Sequence, residues 1–237
     1  MRSAGATAAG RARVLVLDGH SKAATACVVA LGRDCELHVA AHEASAVAQA
    51  SPRVAACLRQ PDDPAQLAGW VQALDAHARY DLIVPATEAA LAGLKSARLD
   101  ADLRARTVLP DEASLDIALD KHRTWDVARG LGIPVPDGVR VEPGDALPRS
   151  PRYPLVIKPL SSKKWINGCL QHLDVRICGD AAERAAAYRE LLPHTPVLEQ
   201  AYFRGRGVGV ELLFEHGQPR WLFAHERVHE MPVTGGA

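Results

Sequence analysis

Short apolar runs separated by helical patterns restrict the first half of this chain to one kind of sheet. Residues 14–18 (VLVLD) and 81–85 (DLIVP) are apolar apart from an acid at one end, and 35–40 (CELHVA) fit a further strand. An unbroken apolar run of this length suits a strand covered on both faces, as in a parallel sheet. Helical patterns lie between the runs. After a turn at 19–21, the Ala-rich stretch 23–31 is stopped by Gly32. Residues 65–78 place Leu67, Trp70, Val71 and Leu74 at helical spacing, and 87–99 continue as helix. This alternation through about residue 110 predicts a small doubly wound unit. Its crevice would lie beyond the carboxyl ends of the strands, near Gly19, His20, Thr87 and Glu88, where turn and cap duties are the default reading and a site the alternative. No G-x-G-x-x-G follows the first strand, so the sequence lends little support to a dinucleotide site there.

From Asp111 the texture changes. Asp111 reads as the cap of a helix carrying Leu115, Ala118 and Leu119. Asp120 and Lys121 lead into a second helix with Trp125, Val127, Ala128 and Leu131, and Gly132 ends it in the left-handed conformation that helix termini favour. IPVPDG then runs extended, because each proline biases its predecessor away from α. The predicted division is a frayed tail over 1–11, a first domain over 12–110 and a second over 111–237.

Within the second domain, Leu155, Val156 and Ile157 stand between Pro154 and Pro159 and read as a buried strand closed by Lys158. Ser161, Ser162, Lys163, Lys164, Asn167 and Gly168 follow as a polar loop. Serine hydroxyls and loop amides donate hydrogen bonds and ammonium groups offset charge, so this loop has the chemistry to hold a polyphosphate. An edge strand with a solvated basic loop accounts for the same residues. The chain has only six lysines, three of which (Lys158, Lys163, Lys164) fall in this stretch. Beyond it, 180–192 read as helix, 197–203 (VLEQAYF) as strand, and 210–229 as two strands joined by a turn at 215–219. The fold class is therefore α/β followed by α+β.

The 28 basic and 28 acidic residues cancel, so no global charge points to nucleic acid or an anionic membrane. Five scattered cysteines without a C-x-x-C pair point to reduced thiols in a cytoplasmic protein, not a disulfide framework. No window approaches the roughly 18 apolar residues that span a bilayer. Arginines at 2, 11 and 13 interrupt the Ala/Gly-rich start, leaving no apolar region of secretory length.

Four pieces stand in a recognisable order: DKHRTWDVARGLGIPVPDG at 120–138, YPLVIKP at 153–159, VLEQAYFRGRGVGVELLF at 197–214 and FAHERVHEMPVTGGA at 223–237. In order and spacing they resemble the ATP-grasp superfamily, and within it the carboxylate-amine ligase-like proteins related to the large chain of carbamoyl-phosphate synthase. The first half resembles the Rossmann-like domain that precedes the grasp in such proteins. The implied architecture is a Rossmann-like pre-ATP-grasp domain followed by the N-terminal part of an ATP-grasp fold.

The resemblance implies residue roles. Lys121 corresponds to the lysine that reaches the phosphates from the first helix pair, and Lys158 to the strand lysine beside the α-phosphate and adenine. Ser161, Ser162 and Lys163 open the loop that covers the phosphates, which here departs from the Gly-rich version by holding Trp165 and Ile166. Glu199, Gln200, Ala201 and Tyr202 occupy the hinge whose backbone pairs with adenine; Glu199 takes the hinge-acid position, or Ala201 does under a two-residue shift. Glu211 is a candidate for the ribose hydroxyls. Arg227 and the turn at Thr234, Gly235 and Gly236 resemble the part facing the acceptor carboxylate. The implied cofactors are ATP and Mg2+, and the implied partner is a small-molecule carboxylate, activated as an acylphosphate for attack by an amine or thiol.

The metal ligands of the family lie on strands downstream of the Gly-Gly turn, whereas this chain stops at Ala237. That implies a fragment of an ATP-dependent ligase, inactive alone, whose apolar edge would favour a homo-oligomer. The alternative is a non-catalytic ATP-grasp-like scaffold or regulatory module. A rival motif, H-E-x-x-H at His225, Glu226 and His229, needs a helix to bring both imidazoles to one zinc. Following WLFA as a strand, the two histidines would stand about 13 Å apart.

Overall fold

The computed structural model describes residues 10–43, 46–95, 99–149, 152–161, 163–166 and 169–229, with the backbone alone at 163, 165, 169 and 170. Ser162, Asn167, Gly168 and the turn at Thr234–Gly236 therefore lie outside the described residues, as do positions 1–9 of the expected tail and the Lys163 side chain. The chain divides into two compact units, Met1–Leu115 and Asp116–Ala237.

The first unit holds β1 (Arg13–Val16), α1 (Lys22–Leu31), β2 (Glu36–Ala41), β3 (Val54–Arg59), α2 (Pro64–Ala78), β4 (Leu82–Val84), α3 (Glu88–Lys95) and α4 (Ala101–Ala105); α5 (Glu112–Ala118) carries the division. Four parallel strands run in the order β3-β2-β1-β4. Side chains alternate along β1, and both of its faces are buried. Val14 and Val16 pack with Leu37, Val39 and Val28 of α1, while Leu15 and Leu17 pack with Leu67 and Val71 of α2, Leu94 of α3 and Leu103 of α4. Local signals set the helix ends. Ser21 Oγ accepts from Ala24 N at 3.0 Å, and Asp63 caps α2 ahead of Pro64. Strand β3 was not among the expected elements. Its VAACLR sequence half-buries only every second residue, the signature of an edge strand rather than of an apolar run.

The second unit holds α6 (Lys121–Gly130), β5 (Gly138–Val141), β6 (Leu155–Pro159), β7 (Lys163–Ile166), β8 (Cys169–His172), β9 (Arg176–Cys178), α7 (Ala181–Leu191), β10 (Val197–Ala201), β11 (Val208–Glu215) and β12 (Gln218–Glu226). Its main sheet has the order β5-β10-β6-β9, antiparallel throughout. Leu155 and Ile157 of β6, Val197 of β10 and Cys178 of β9 point to one face, where Ala187, Tyr188 and Leu191 of α7 cover them. Asp180 fixes the start of α7 by accepting from Ala182 N and Glu183 N, both at 2.9 Å.

The expected polar loop after Lys158 is instead a two-stranded ribbon, in which β7 pairs with β8 from Lys163↔His172 to Ile166↔Cys169. Trp165, Ile166, Cys169 and Leu170 are residues that suit a strand. The sequence also holds Asn167-Gly168, a dipeptide favoured between paired strands. The second ribbon, β11–β12, turns at His216 and Gly217 with φ of 49° and 74°, the two left-handed residues of a tight hairpin. His225 and Glu226 lie in β12, which removes the helix a zincin motif requires. Among the described residues no helix is long and apolar enough to cross a membrane.

Candidate functional site

Strand β6 is interior to its sheet, flanked by β10 and β9, and Lys158 is its fourth residue. Lys158 pairs with Leu198, so it shares a face with Val156, Leu198 and Gln200 and lies opposite the face covered by α7. Its side chain is half-buried, and burial holds its ammonium below the usual lysine range. Among the described residues no carboxylate or hydrogen-bond acceptor pairs with it.

A second lysine comes to the same strand end. Asp120 caps α6 by accepting from His122 N at 2.8 Å and Arg123 N at 3.1 Å, which sets Lys121 in the first turn. From there Lys121 Nζ donates to Pro159 O at 3.2 Å. The fold thus brings Lys121 and Lys158, 37 positions apart in sequence, to adjoining residues of one strand. Ser161 follows directly, half-buried, before β7.

The neighbouring strand separates the four hinge candidates. Glu199 is buried on the α7 face, where its carboxylate accepts from Arg184 Nε at 2.7 Å, Arg184 Nη2 at 3.2 Å and Tyr188 Oη at 2.6 Å. Gln200 is buried on the Lys158 face. Ala201 N donates to Asp137 O at 2.8 Å, and from Tyr202 the backbone leaves the sheet. Arg184 and Tyr188 were not singled out in the sequence. The available signal was their i, i+4 spacing on a helix rich in alanine, which puts both on one face. The Tyr188 hydroxyl is held well above the ordinary phenol range by burial first and by the Glu199 carboxylate second, so it is a donor at all physiological pH.

Glu211 and Arg227 belong to the separate β11–β12 ribbon. Glu211 Oε2 stands 3.1 Å from His225 Nδ1, and Arg227 N donates to Gly207 O at 2.7 Å. The site candidates therefore fall into Lys158 and Gln200 on one sheet face, Lys121 bonded to the backbone at the end of the same strand, Glu199 on the other face, and two residues on a different ribbon.

No family model matches the sequence, and no curated protein matches it. Solved structures do match. An L-amino acid ligase from Bacillus licheniformis superposes with a TM-score of 0.64 at 18% identity, over 91% of this chain and 49% of that one. The ADP complex of N5-carboxyaminoimidazole ribonucleotide synthetase gives 0.65 at 13%, over 93% and 55%. D-alanine–D-alanine ligase from Bacillus anthracis, complexed with ATP, gives 0.54 at 15%, over 94% and 68%. The fold is the one these ligases and synthetases have over the matched part of their chains. At these identities the likeness carries the fold alone, and this chain spans about half the length of the first two structures.

Two groups implied by an ATP-grasp fold can be tested against the residues present. A polyphosphate requires unneutralised cations on a shaped surface, and the half-buried, unpartnered Lys158 beside Lys121 fits that requirement. A magnesium ion requires converging oxygen ligands. Among the described residues, the one cluster of three metal-ligating side chains is Asp18, His20 and His42, in the first unit. The described part of the second unit thus holds no cluster of three such side chains.

Proposed function

We propose that the second unit is the nucleotide-binding portion of an ATP-dependent ligase that activates a carboxylate as an acylphosphate for attack by an amine or thiol. The observation that carries this reading is the unpartnered ammonium of Lys158, half-buried at the end of an interior strand with Lys121 beside it. An uncompensated buried cation is costly, and a bound phosphate oxygen is the partner that removes the cost. ATP supplies the phosphoryl group. The protein's share is positioning and charge compensation. Lys158 and Lys121 hold phosphate oxygens, Ser161, Ser162 and Lys163 close over them, and the backbone from Gln200 to Tyr202 takes the adenine edge. Glu211 takes the ribose hydroxyls, and Arg227 faces the acceptor carboxylate. The 13–18% identical structures above include ADP and ATP complexes, which supports the nucleotide part of the reading.

A calorimetric titration with ATP tests it. Removing one charge-assisted phosphate contact costs about 1.5–3 kcal/mol, so Lys158→Ala should lower affinity roughly ten- to a hundredfold. Binding that Lys158→Ala leaves unchanged in a folded protein would overturn the site.

One observation favours the alternative of a non-catalytic scaffold. The β11–β12 ribbon leaves Val210, Leu212 and Leu222 on one face, and Leu213, Trp221 and Phe223 on the other, about half exposed or more, apolar surface suited to a protein partner. Absence of ATP binding by the folded chain would favour that reading.

A further inference from the structure

Each of the four parallel strands in the first unit runs into a polar side chain, and the four converge. Asp18 follows β1, His42 follows β2, Gln60 follows β3 and Thr87 follows β4. Asp18 is only 1% exposed. Its Oδ2 accepts from Thr87 Oγ1 at 2.5 Å and its Oδ1 from Gln60 Nε2 at 2.7 Å, while Gln60 Oε1 accepts from Asp18 N at 3.0 Å. The last bond fixes which end of the Gln60 amide faces which way. Its NH2 group therefore also faces His42 Nε2, 3.3 Å away, and donates to it in the tautomer that keeps the ring proton on Nδ1.

In that tautomer the Nε2 lone pair also stands 3.5 Å from Asp18 Oδ1, two acceptors facing each other. The other nitrogen of the ring, Nδ1, is buried without a hydrogen-bond partner, 3.7 Å from Asp62 Oδ1. Asp62 is also held by Arg59 Nη2 at 3.0 and 3.1 Å. His20 completes the set. Its ring centroid is 5.5 Å from that of His42, and one ligand atom from each of Asp18, His20 and His42 lies within 4.8 Å of the others. Gly19 makes this approach feasible, since a Cβ there would meet Val39 Cγ1 at 2.6 Å.

We propose that Asp18, His20 and His42 form a site for a divalent metal of the zinc class. Zinc bonds of about 2.0–2.2 Å in tetrahedral array put neighbouring ligand atoms roughly 3.3–3.5 Å apart, the spacing already present between His42 Nε2 and Asp18 Oδ1. A cation between the two acceptors removes their conflict. An outer carboxylate beside the second ring nitrogen is the arrangement that orients metal-bound histidines, and Asp62 stands there. Three protein ligands leave a fourth position open, and the exposed His20 puts it toward solvent. This site lies wholly in the first unit and does not depend on the nucleotide reading.

The test is titration of the chelator-treated full chain with Zn2+ alone by calorimetry, and with Co2+ followed in the visible. The expected result is one equivalent bound, with the ligand-field bands of a tetrahedral nitrogen and oxygen site. His20→Ala and His42→Ala should each lower affinity at least about tenfold, and Asp62→Ala about ten- to a hundredfold. His20 is exposed, so His20→Ala keeps the test sound even if His42→Ala fails to fold. Zinc should raise the thermal midpoint of the wild-type chain and not that of His20→Ala. No binding, binding indifferent to His20, or a thiolate-to-cobalt charge-transfer band would each overturn the proposal.

Discussion

Arg184 of α7 grips Glu199 of β10 from two sides of its guanidinium, Nε to Oε2 at 2.7 Å and Nη2 to Oε1 at 3.2 Å, with both side chains about nine-tenths buried. Tyr188, one helical turn on, donates to the same carboxylate, and Arg184 Nη2 also reaches Pro148 O at 2.9 Å. The acid that resemblance aligns with the nucleotide hinge is thus the pin between helix and sheet.

Removing that pin leaves a buried guanidinium without its partner. Glu199→Ala should cost about 3–5 kcal/mol of folding stability, read from the midpoint of urea unfolding. Glu199→Gln, which keeps an acceptor, should cost less. A Glu199→Ala protein of unchanged stability but reduced ATP affinity would instead assign the carboxylate to the nucleotide.

Lys158 gives a pH prediction with a definite sign. Burial holds its folded-state pKa below the ordinary 10.5. Between the two values the unfolded chain binds more protons, so stability of the free protein rises with pH there. ATP binding on the proposed reading requires the ammonium form, so it takes up a proton in that window and its affinity falls as pH rises. Calorimetry in buffers of different ionisation enthalpy measures that uptake. Lys158→Arg, which stays charged, should abolish it, whereas uptake that persists in Lys158→Arg would place the titrating group elsewhere.

The sheets of both units were legible because their buried strands are written as apolar runs. VLVLD, DLIVP and PLVIKP admit few other readings, and the cap Asp111 and the stop at Gly132 stand where local chemistry puts them. Strands that are not apolar runs were not legible. β3 alternates half-buried with exposed residues, β9 has three residues of which Cys178 alone is fully buried, and β7–β8 sits in a stretch whose serines and lysines read as loop. The site divides the same way. Lys158 stands out by ending an apolar strand, but the separation of Glu199 from Gln200 follows from the two-residue period of β10. A resemblance that aligns backbones carries no statement about which face a side chain takes. The Asp18, His20 and His42 cluster joins residues from two loops, and only the parallel order of β1 and β2 brings them together.

Acid tolerance of the first unit should rest on Arg106. Its guanidinium binds Asp75 at 2.7 Å and Asp102 at 2.9 Å. Arg79 first and Arg106 second hold the Asp102 carboxyl down at about 2, and Arg106 lowers Asp75. A carboxylate with a depressed folded-state pKa contributes its full stability above its unfolded value and loses it as pH falls through the folded one. For Asp102 that window runs from 3.8 down to about 2. Arg106→Ala should therefore lower stability above that window and move the acid-unfolding midpoint to higher pH, followed by circular dichroism, with the difference from wild type narrowing as pH falls through the window. An unmoved midpoint would mean that other carboxylates govern acid unfolding.

Gly138 tests how closely β5 must approach the segment proposed to take the adenine edge. A Cβ there would meet Gln200 Cγ at 2.7 Å and Glu199 O at 2.9 Å. Gly138→Ala should cost about 1–3 kcal/mol by overpacking. It should also weaken ATP binding, because the atoms displaced lead straight into the backbone at 201–202. The Gln200 side chain can be trimmed and the Glu199 carbonyl cannot, so Gly138→Ala combined with Gln200→Ala should recover part of the stability and no more. Full recovery would show that the side chain alone sets the spacing. Recovery of stability without recovery of ATP affinity would show that the proposed nucleotide contact depends on Gln200 itself.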